Sequence, residues 1–397
     1  QLFPEDLGKM KEEIGWGRYH WIMYFGSGIG FYCNFAWMRA ISIIANEAAI
    51  EWDLNNAQES YLGSALMLGM FLGSIALSYP PDRYGRMPFF KSSQLAAGGI
   101  GILCCFSYNL WMACACFLII GFVIGGDFGL VGIVYLESSP PSKRKHLATL
   151  SVFMRFGLVL LPAFTIAFIE LQVQSVWRYL TGVISLFCIL SGVLRLYLSE
   201  TPAYYLISNQ PSKAVEVLER IARINKKEFY VKFKDARGSI QKASFQFSQQ
   251  PEFSVKEKLK KLFSPPYKRT IILLICIWFT YSFATLGIAF FIPYILQSSQ
   301  GAPADGSILI YVSMLIQLFG SAFGASAANW SMQTSLGRKW SLFWSFVLAT
   351  ISIVAFIPGS FNYILLTALM TICLFFQSVT TSACYVITPE SFSNDIN

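Results

Sequence analysis

The sequence predicts an all-α polytopic membrane protein, and three observations carry that prediction. First, 55% of the 397 residues are hydrophobic and only 13% are charged, about half the charged share of an ordinary soluble domain. Second, apolar runs long enough to span a bilayer, ~20 residues each, recur near 21–44, 57–79, 89–109, 111–136, 147–170, 176–198, 270–292, 306–329, 340–358 and 361–387. Third, Lys and Arg gather in alternate loops, which for short loops marks the cytoplasmic side. Arg83, Arg86 and Lys91 follow span 2, Lys143, Arg144 and Lys145 follow span 4, and Arg338 and Lys339 follow span 8. The opposite loops hold Glu47, Glu51, Asp53, Glu59 and Asp305, with Arg178 as their one basic residue. The N-terminus is therefore expected in the cytoplasm.

Residues 1–20 mix Glu5, Asp6, Glu12 and Glu13 with Lys9, Lys11 and Arg18 and carry no signal-peptide pattern, so they read as a cytoplasmic lead-in. Spans 1 to 6, residues 21–198, form a first bundle. Glycines such as Gly26 and Gly30 in span 1, and Gly121 to Gly132 in span 4, allow close helix approach. Between spans 2 and 3 lies Tyr79-Pro-Pro-Asp-Arg-Tyr-Gly-Arg-Met87, a charged knot that cannot sit in hydrocarbon. Pro80 and Pro81 are expected to end the preceding helix, and Gly85 to permit a tight turn.

Residues 199–269 hold 15 Lys and Arg against 7 Asp and Glu, a balance of +8 that equals the net charge of the chain. Because the charge lies on a loop between spans, anionic cytoplasmic-leaflet lipid accounts for it better than nucleic acid does. Two surface helices are predicted in this segment, Pro211 to Asn225 and Phe253 to Phe263, separated by the polar stretch 226–250. Residues 270–397 supply a shorter bundle of four spans. All nine cysteines fall inside apolar runs without the paired loop spacing of a metal site, so they read as packing residues, and no cofactor is expected. With only His20 and His146, and no Gly-x-x-x-x-Gly-Lys loop, an enzyme reading is poor.

The Asp82-Arg83-Tyr84-Gly85-Arg86 run resembles the signature loop between helices 2 and 3 of major facilitator superfamily transporters, with Ser78 and Met87 as departures. Gly337-Arg338-Lys339 after span 8 echoes its end, although Thr334 occupies the place of Asp82. Tyr135-Leu-Glu137-Ser-Ser-Pro140 is echoed by Tyr385-Val-Ile-Thr-Pro-Glu390 after span 10. Gly125-Gly126-Asp127-Phe128, Ser199-Glu200-Thr201-Pro202 and Leu262-Phe263-Ser264-Pro265 are similar to motifs of the branch holding synaptic-vesicle-protein-like, organic-ion and proton–phosphate transporters. Relatives in that branch often carry acidic residues where Asn34 and Trp37 stand, and an arginine where Phe117 stands.

The resemblance implies a two-bundle fold with ten of twelve expected helices present, in which a small solute binds between the halves. It implies a cytoplasmic gate of Asp82, Arg83, Gly85, Arg86, Glu137, Arg144, Arg338 and Glu390. Asp127, midway along span 4, is costly in hydrocarbon and is expected to face a cavity, binding a proton or a polar substrate group; the alternative is a carboxyl held in helix packing. Asn34, Trp37, Gln377 and Tyr281 are candidate cavity residues, set against ordinary helix packing. Arg39, placed near the end of span 1, either attracts an anion or snorkels to the headgroups. Two functions stand: a secondary transporter for a small polar or ionic solute with a proton as candidate coupling ion, or a transporter-like subunit or receptor that works with partner subunits.

Overall fold

The structure is a computed structural model that describes residues 3–143, 146–208, 210–227, 263–297, 307–332, 334, 337–355 and 362–390. Each of the ten predicted spans becomes one long helix. After α1 (Phe3–Ile14), span 1 is α2 (Arg18–Trp52), span 2 is α3 (Asn56–Ala76), the charged knot holds α4 (Pro80–Tyr84), and spans 3 to 6 are α5 (Arg86–Cys105), α6 (Leu110–Ser138), α7 (His146–Glu170) and α8 (Val176–Leu196). The central segment contributes α9 (Pro202–Ile207) and α10 (Pro211–Ile224). Spans 7 to 10 are α11 (Pro265–Gln297), α12 (Ser307–Ser331), α13 (Gly337–Val354) and α14 (Tyr363–Glu390). Six of these helices (α2, α6, α8, α11, α12 and α14) are long and apolar enough to cross a membrane by length and composition alone.

Some boundaries move for local reasons. Span 1 continues to Trp52 rather than stopping near 44, because Glu47, Ala48 and Ala49 are good helix formers; Asp53 then turns left-handed (φ 49°) and ends it. Asn55 and Gln58 open α3 with a reciprocal capping box. Pro80 and Pro81 do not end the preceding helix, which has already stopped at Ala76. They begin α4, where a missing backbone donor costs nothing.

The chain divides into two compact units that do not follow chain order. The first comprises Gln1–Met38, Ile44–Met154 and Trp177–Pro251; the second comprises Arg39–Ile43, Arg155–Val176 and Glu252–Asn397. In the first unit α3 and α6 meet through glycines one turn apart on each helix. A Cβ on Gly73 would strike the Phe122 carbonyl, and one on Gly125 would strike the Met70 carbonyl. That close approach is the small-residue packing that substitutes for hydrophobic driving force between membrane helices.

At one end of this unit a core forms from Met10 and Ile14 of α1, Met23, Phe90, Val131 and Val134, together with Ala214, Leu218 and Ile221 of α10. The apolar face of α10 is thus covered by protein. The expected helix over 253–263 lies outside the described residues up to 262. In the second unit α14 packs against α12 and α13. Ser378 Oγ donates to the Ser321 carbonyl at 2.6 Å, and Thr380 Oγ1 donates to Ser345 Oγ at 2.9 Å.

Candidate functional site

Asp127 is enclosed rather than open to a cavity, which corrects the sequence expectation. Four helices of the first unit close around it. Arg195 of α8 donates through Nη1 to Oδ1 at 2.6 Å and through Nη2 to Oδ2 at 3.3 Å. Ser93 Oγ donates to Oδ1 at 2.6 Å, while Asn34 Nδ2 and Gln94 Nε2 each donate to Oδ2 at 2.9 Å. Both side chains of the ion pair are fully buried. Arg195 also donates to the Phe90 carbonyl at 2.8 Å and lies 3.7 Å from the Phe90 ring centroid. Gly30 leaves the room: a Cβ there would collide with the Arg195 guanidinium. Every charge in this cluster has its counter-charge and hydrogen bonds, the condition under which buried ions are tolerated.

Asn34 therefore belongs to the ion-pair cage, not to an open pathway. Trp37, fully buried, donates through Nε1 to Cys188 Sγ at 3.4 Å and packs edge-on against Phe117, 6.1 Å between ring centres. It fills the core of the first unit.

The expected gate is assembled in part. Arg86 pairs with Glu137 and, at 3.3 Å, with Asp82. Asp82 is more than half exposed, at 57%, whereas Glu137 is at 20%, so Glu137 is the stronger partner of Arg86. Thr201 Oγ1 donates to Glu137 Oε2 at 2.9 Å. Lys11 of α1 donates to the Glu137 carbonyl. Gly85 adopts φ +102°, and its backbone runs so close to Glu200 that a Cβ would lie 2.6 Å from Oε2. The Met87 amide donates to the same oxygen at 3.0 Å. Arg83 turns outward, its backbone carbonyl accepting from the Tyr204 hydroxyl at 3.2 Å.

Outside the spans, the Ser142 hydroxyl and backbone amide hold the Glu12 carboxyl below its usual range. Arg144 lies outside the described residues, and the side chain of Glu390 is likewise not described. Arg338 is exposed on the first turn of α13, in the second unit. At the other end of α2, Glu51 accepts from Arg178 Nη2 and from Trp177 Nε1, each at 2.6 Å, tying the start of α8 to the end of span 1.

The second unit holds a different polar cluster. Arg39 is not near a helix end, since α2 runs on to Trp52; it lines a cavity of about 20 Å³ with Ser42, Leu161, Met314, Gln317 and Leu374. Arg155 of α7 is 7% exposed and donates through Nη1 to Ser321 Oγ at 2.8 Å. The Tyr281 hydroxyl is hydrogen-bonded to Thr381 Oγ1. Gln377 is buried, and neither polar atom of its amide has a partner.

Sequence reasoning passed over Arg195, Ser93, Gln94, Arg155 and Gln317. The signal was present, because an arginine inside an apolar run is as costly as the aspartate that drew attention to span 4.

A family model described as "Sugar (and other) transporter" matches residues 22–397. The MFS siderochrome iron transporter 1 of Ceriporiopsis subvermispora is 26% identical over 418 residues, covering 96% of this chain and 78% of that protein. The synaptic vesicle 2-related protein of Bos taurus is 27% identical over 400 residues, covering 96% of this chain and 69% of that protein. Among solved structures, the partially occluded inward-open xylose transporter XylE from E. coli superposes with a TM-score of 0.71 at 13% identity, over 94% of this chain and 88% of that one. XylE bound to 6-bromo-6-deoxy-D-glucose superposes with a TM-score of 0.72 at 15% identity, over 95% and 83%.

Proposed function

The chain belongs to the sugar (and other) transporter family of the major facilitator superfamily, as an integral multi-pass secondary transporter, and on that premise we propose that it moves a small polar or ionic solute by alternating access. The observation that carries the reading is the polar cluster at the ends of α4, α5, α6 and α9. Arg86, Glu137, Thr201 and Glu200 come from three separate stretches of chain, yet they meet in part-exposed ion pairs and hydrogen bonds. Contacts of that strength, about 1 kcal/mol each when water has access, can be broken and remade within a transport cycle. On the charge pattern of the loops, this cluster faces the cytoplasm, with α1 beside it.

Coupling to a proton at Asp127 is the weaker variant of this reading. A proton arriving there would have to displace Arg195 and leave a buried guanidinium without a counterion. We therefore favour facilitated exchange, or coupling carried elsewhere. The rival reading, a transporter-like subunit that needs partner chains, draws support from the same enclosed network, which serves rigidity as well as transport. Counterflow in proteoliposomes decides between them. Protein loaded with unlabelled phosphate, organic ions or sugars should accumulate the labelled form of at least one, and no exchange of any class would overturn the transporter reading.

A further inference from the structure

Resting on the transporter reading, we propose that Arg39 and Arg155 form the solute site, and that the site takes an oxyanion, the carboxylate or phosphate group of a small solute. The geometry starts from one face of α12, where Met314, Gln317, Leu318 and Ser321 fall at helical spacing. Arg39 lines the cavity floored by Met314, Gln317 and Leu318. Arg155 reaches Ser321, one turn further along the same face. Two guanidinium groups thus share a stretch of helix about two turns long, inside a single unit of the fold.

Neither is neutralised. Among the described residues no carboxylate is recorded against Arg39 or Arg155. Arg155 Nε, Gln317 Oε1 and both polar atoms of Gln377 are buried without hydrogen-bond partners. Gln317 is 1% exposed and Gln377 6%. Gln377 is held at this place because its neighbour Ser378 bonds the Ser321 carbonyl and its helix mate Leu374 lines the cavity. Buried polar groups are ordinarily satisfied, and buried charges ordinarily paired. A cluster that leaves two arginines without a described carboxylate and three buried amide atoms unpartnered, beside a void, has the chemistry of an anion seat.

Arginine forks match carboxylate and phosphate oxygens two at a time, and amides supply the remaining donors, Gln317 after rotating its amide. A cavity of about 20 Å³ holds little more than a water molecule, so a solute enters only when the protein opens. The first unit shows the contrasting solution: there the buried arginine has its aspartate.

The test uses the full chain, delipidated in a maltoside detergent, with thermal unfolding followed during titration with sodium phosphate, succinate or glucose at constant ionic strength. Phosphate or succinate should raise the unfolding temperature in a saturable way, and glucose should not. Arg39→Gln and Arg155→Gln should each weaken that response at least about tenfold, the size expected for losing one partner of a desolvated charge contact. Arg155→Lys should fall between, keeping charge without the fork. In ligand-free protein the Gln variants should unfold at the same or a higher temperature, since each removes an uncompensated cation; a lowered temperature would mark the arginines as structural and overturn the proposal.

A second arm adds phosphatidylglycerol. A response to the lipid alone, with none to phosphate or succinate, would overturn the solute assignment. Counterflow run on the same preparation separates the two levels. Glucose exchange without anion binding sinks the anion site and leaves the transporter, whereas anion binding at the arginines with no exchange of any solute sinks the transporter and leaves the site.

Discussion

Two arginines of this chain are buried and live by opposite rules. Arg195 is met by Asp127, the Ser93 hydroxyl, the Phe90 ring and the backbone carbonyls of Gly26 and Phe90. Arg155 is met by hydroxyls, those of Ser321 and Tyr281, with no carboxylate among the described residues, and keeps an unpartnered Nε. Placing either in a membrane helix is costly, and the cost is offset in different currencies: a permanent internal counterion in one unit, an occupant from outside in the other. What the contrast teaches is that a charged residue in a span is not by itself a functional site. The state of its partners decides whether it frames the bundle or waits for a ligand.

The comparison breaks most visibly if the Asp127–Arg195 pair is taken apart. Arg195→Met should destabilise the protein by about 3–5 kcal/mol, because it strands a buried carboxylate, read as a lowered unfolding temperature in detergent. Adding Asp127→Leu in the same chain should recover much of that loss, since an apolar pair of similar bulk needs no counterion. Failure of the double variant to recover would mean the pair does more than neutralise charge.

Next in size is Gly30→Ala. Its new methyl group meets the guanidinium of Arg195, so a loss of about 1–3 kcal/mol is expected from overpacking. The same substitution at Gly129, where a Cβ meets nothing within 4 Å, should be close to neutral.

How much of this was legible in the sequence follows from the range of each interaction. The ten long helices were readable because hydrophobic run length is a local property, and the gate motif because Asp82 and Arg86 are four residues apart. Asp127 stood out as a carboxylate among apolar neighbours, but its role did not. Its partner Arg195 lies 68 positions away, and no periodicity joins residues on different helices. Arg39 lies near the end of the apolar run, which stops at about 44, but not near the end of the helix, which runs to Trp52. Arg155 and Gln317 were hidden because their meaning depends on what is missing around them, which composition does not record. The covering of α10 by α1 and α9 was equally invisible, since an amphipathic face looks the same whether protein or lipid lies beneath it.

Smaller effects belong to the gate, where partners are partly open to water. Glu137→Gln removes the better-buried partner of Arg86 and should raise cysteine labelling from the cytoplasmic side more than Asp82→Asn does, with a stability change of about 1 kcal/mol or less. Equal labelling by both variants would remove Glu137 from the latch.

The smallest expected effect is at Glu12. Its carboxyl is held below the ordinary value of 4.5 by Ser142, so its contribution is complete above that value and is lost as pH falls through the depressed folded pKa. Hydrogen exchange across 3–14 should therefore quicken on acidification below about pH 4.5, and Glu12→Gln should flatten that dependence.

The two buried arginines should differ in the sign of their effect on stability, which one thermal-unfolding comparison of ligand-free protein reads directly. Asp127→Asn and Arg155→Gln each remove one buried charge while keeping side-chain size roughly constant. If Arg195 is compensated and Arg155 is not, Asp127→Asn should lower the unfolding temperature sharply, while Arg155→Gln should leave it unchanged or raise it. A fall of similar size in both variants would contradict the account, because both arginines would then be holding the fold.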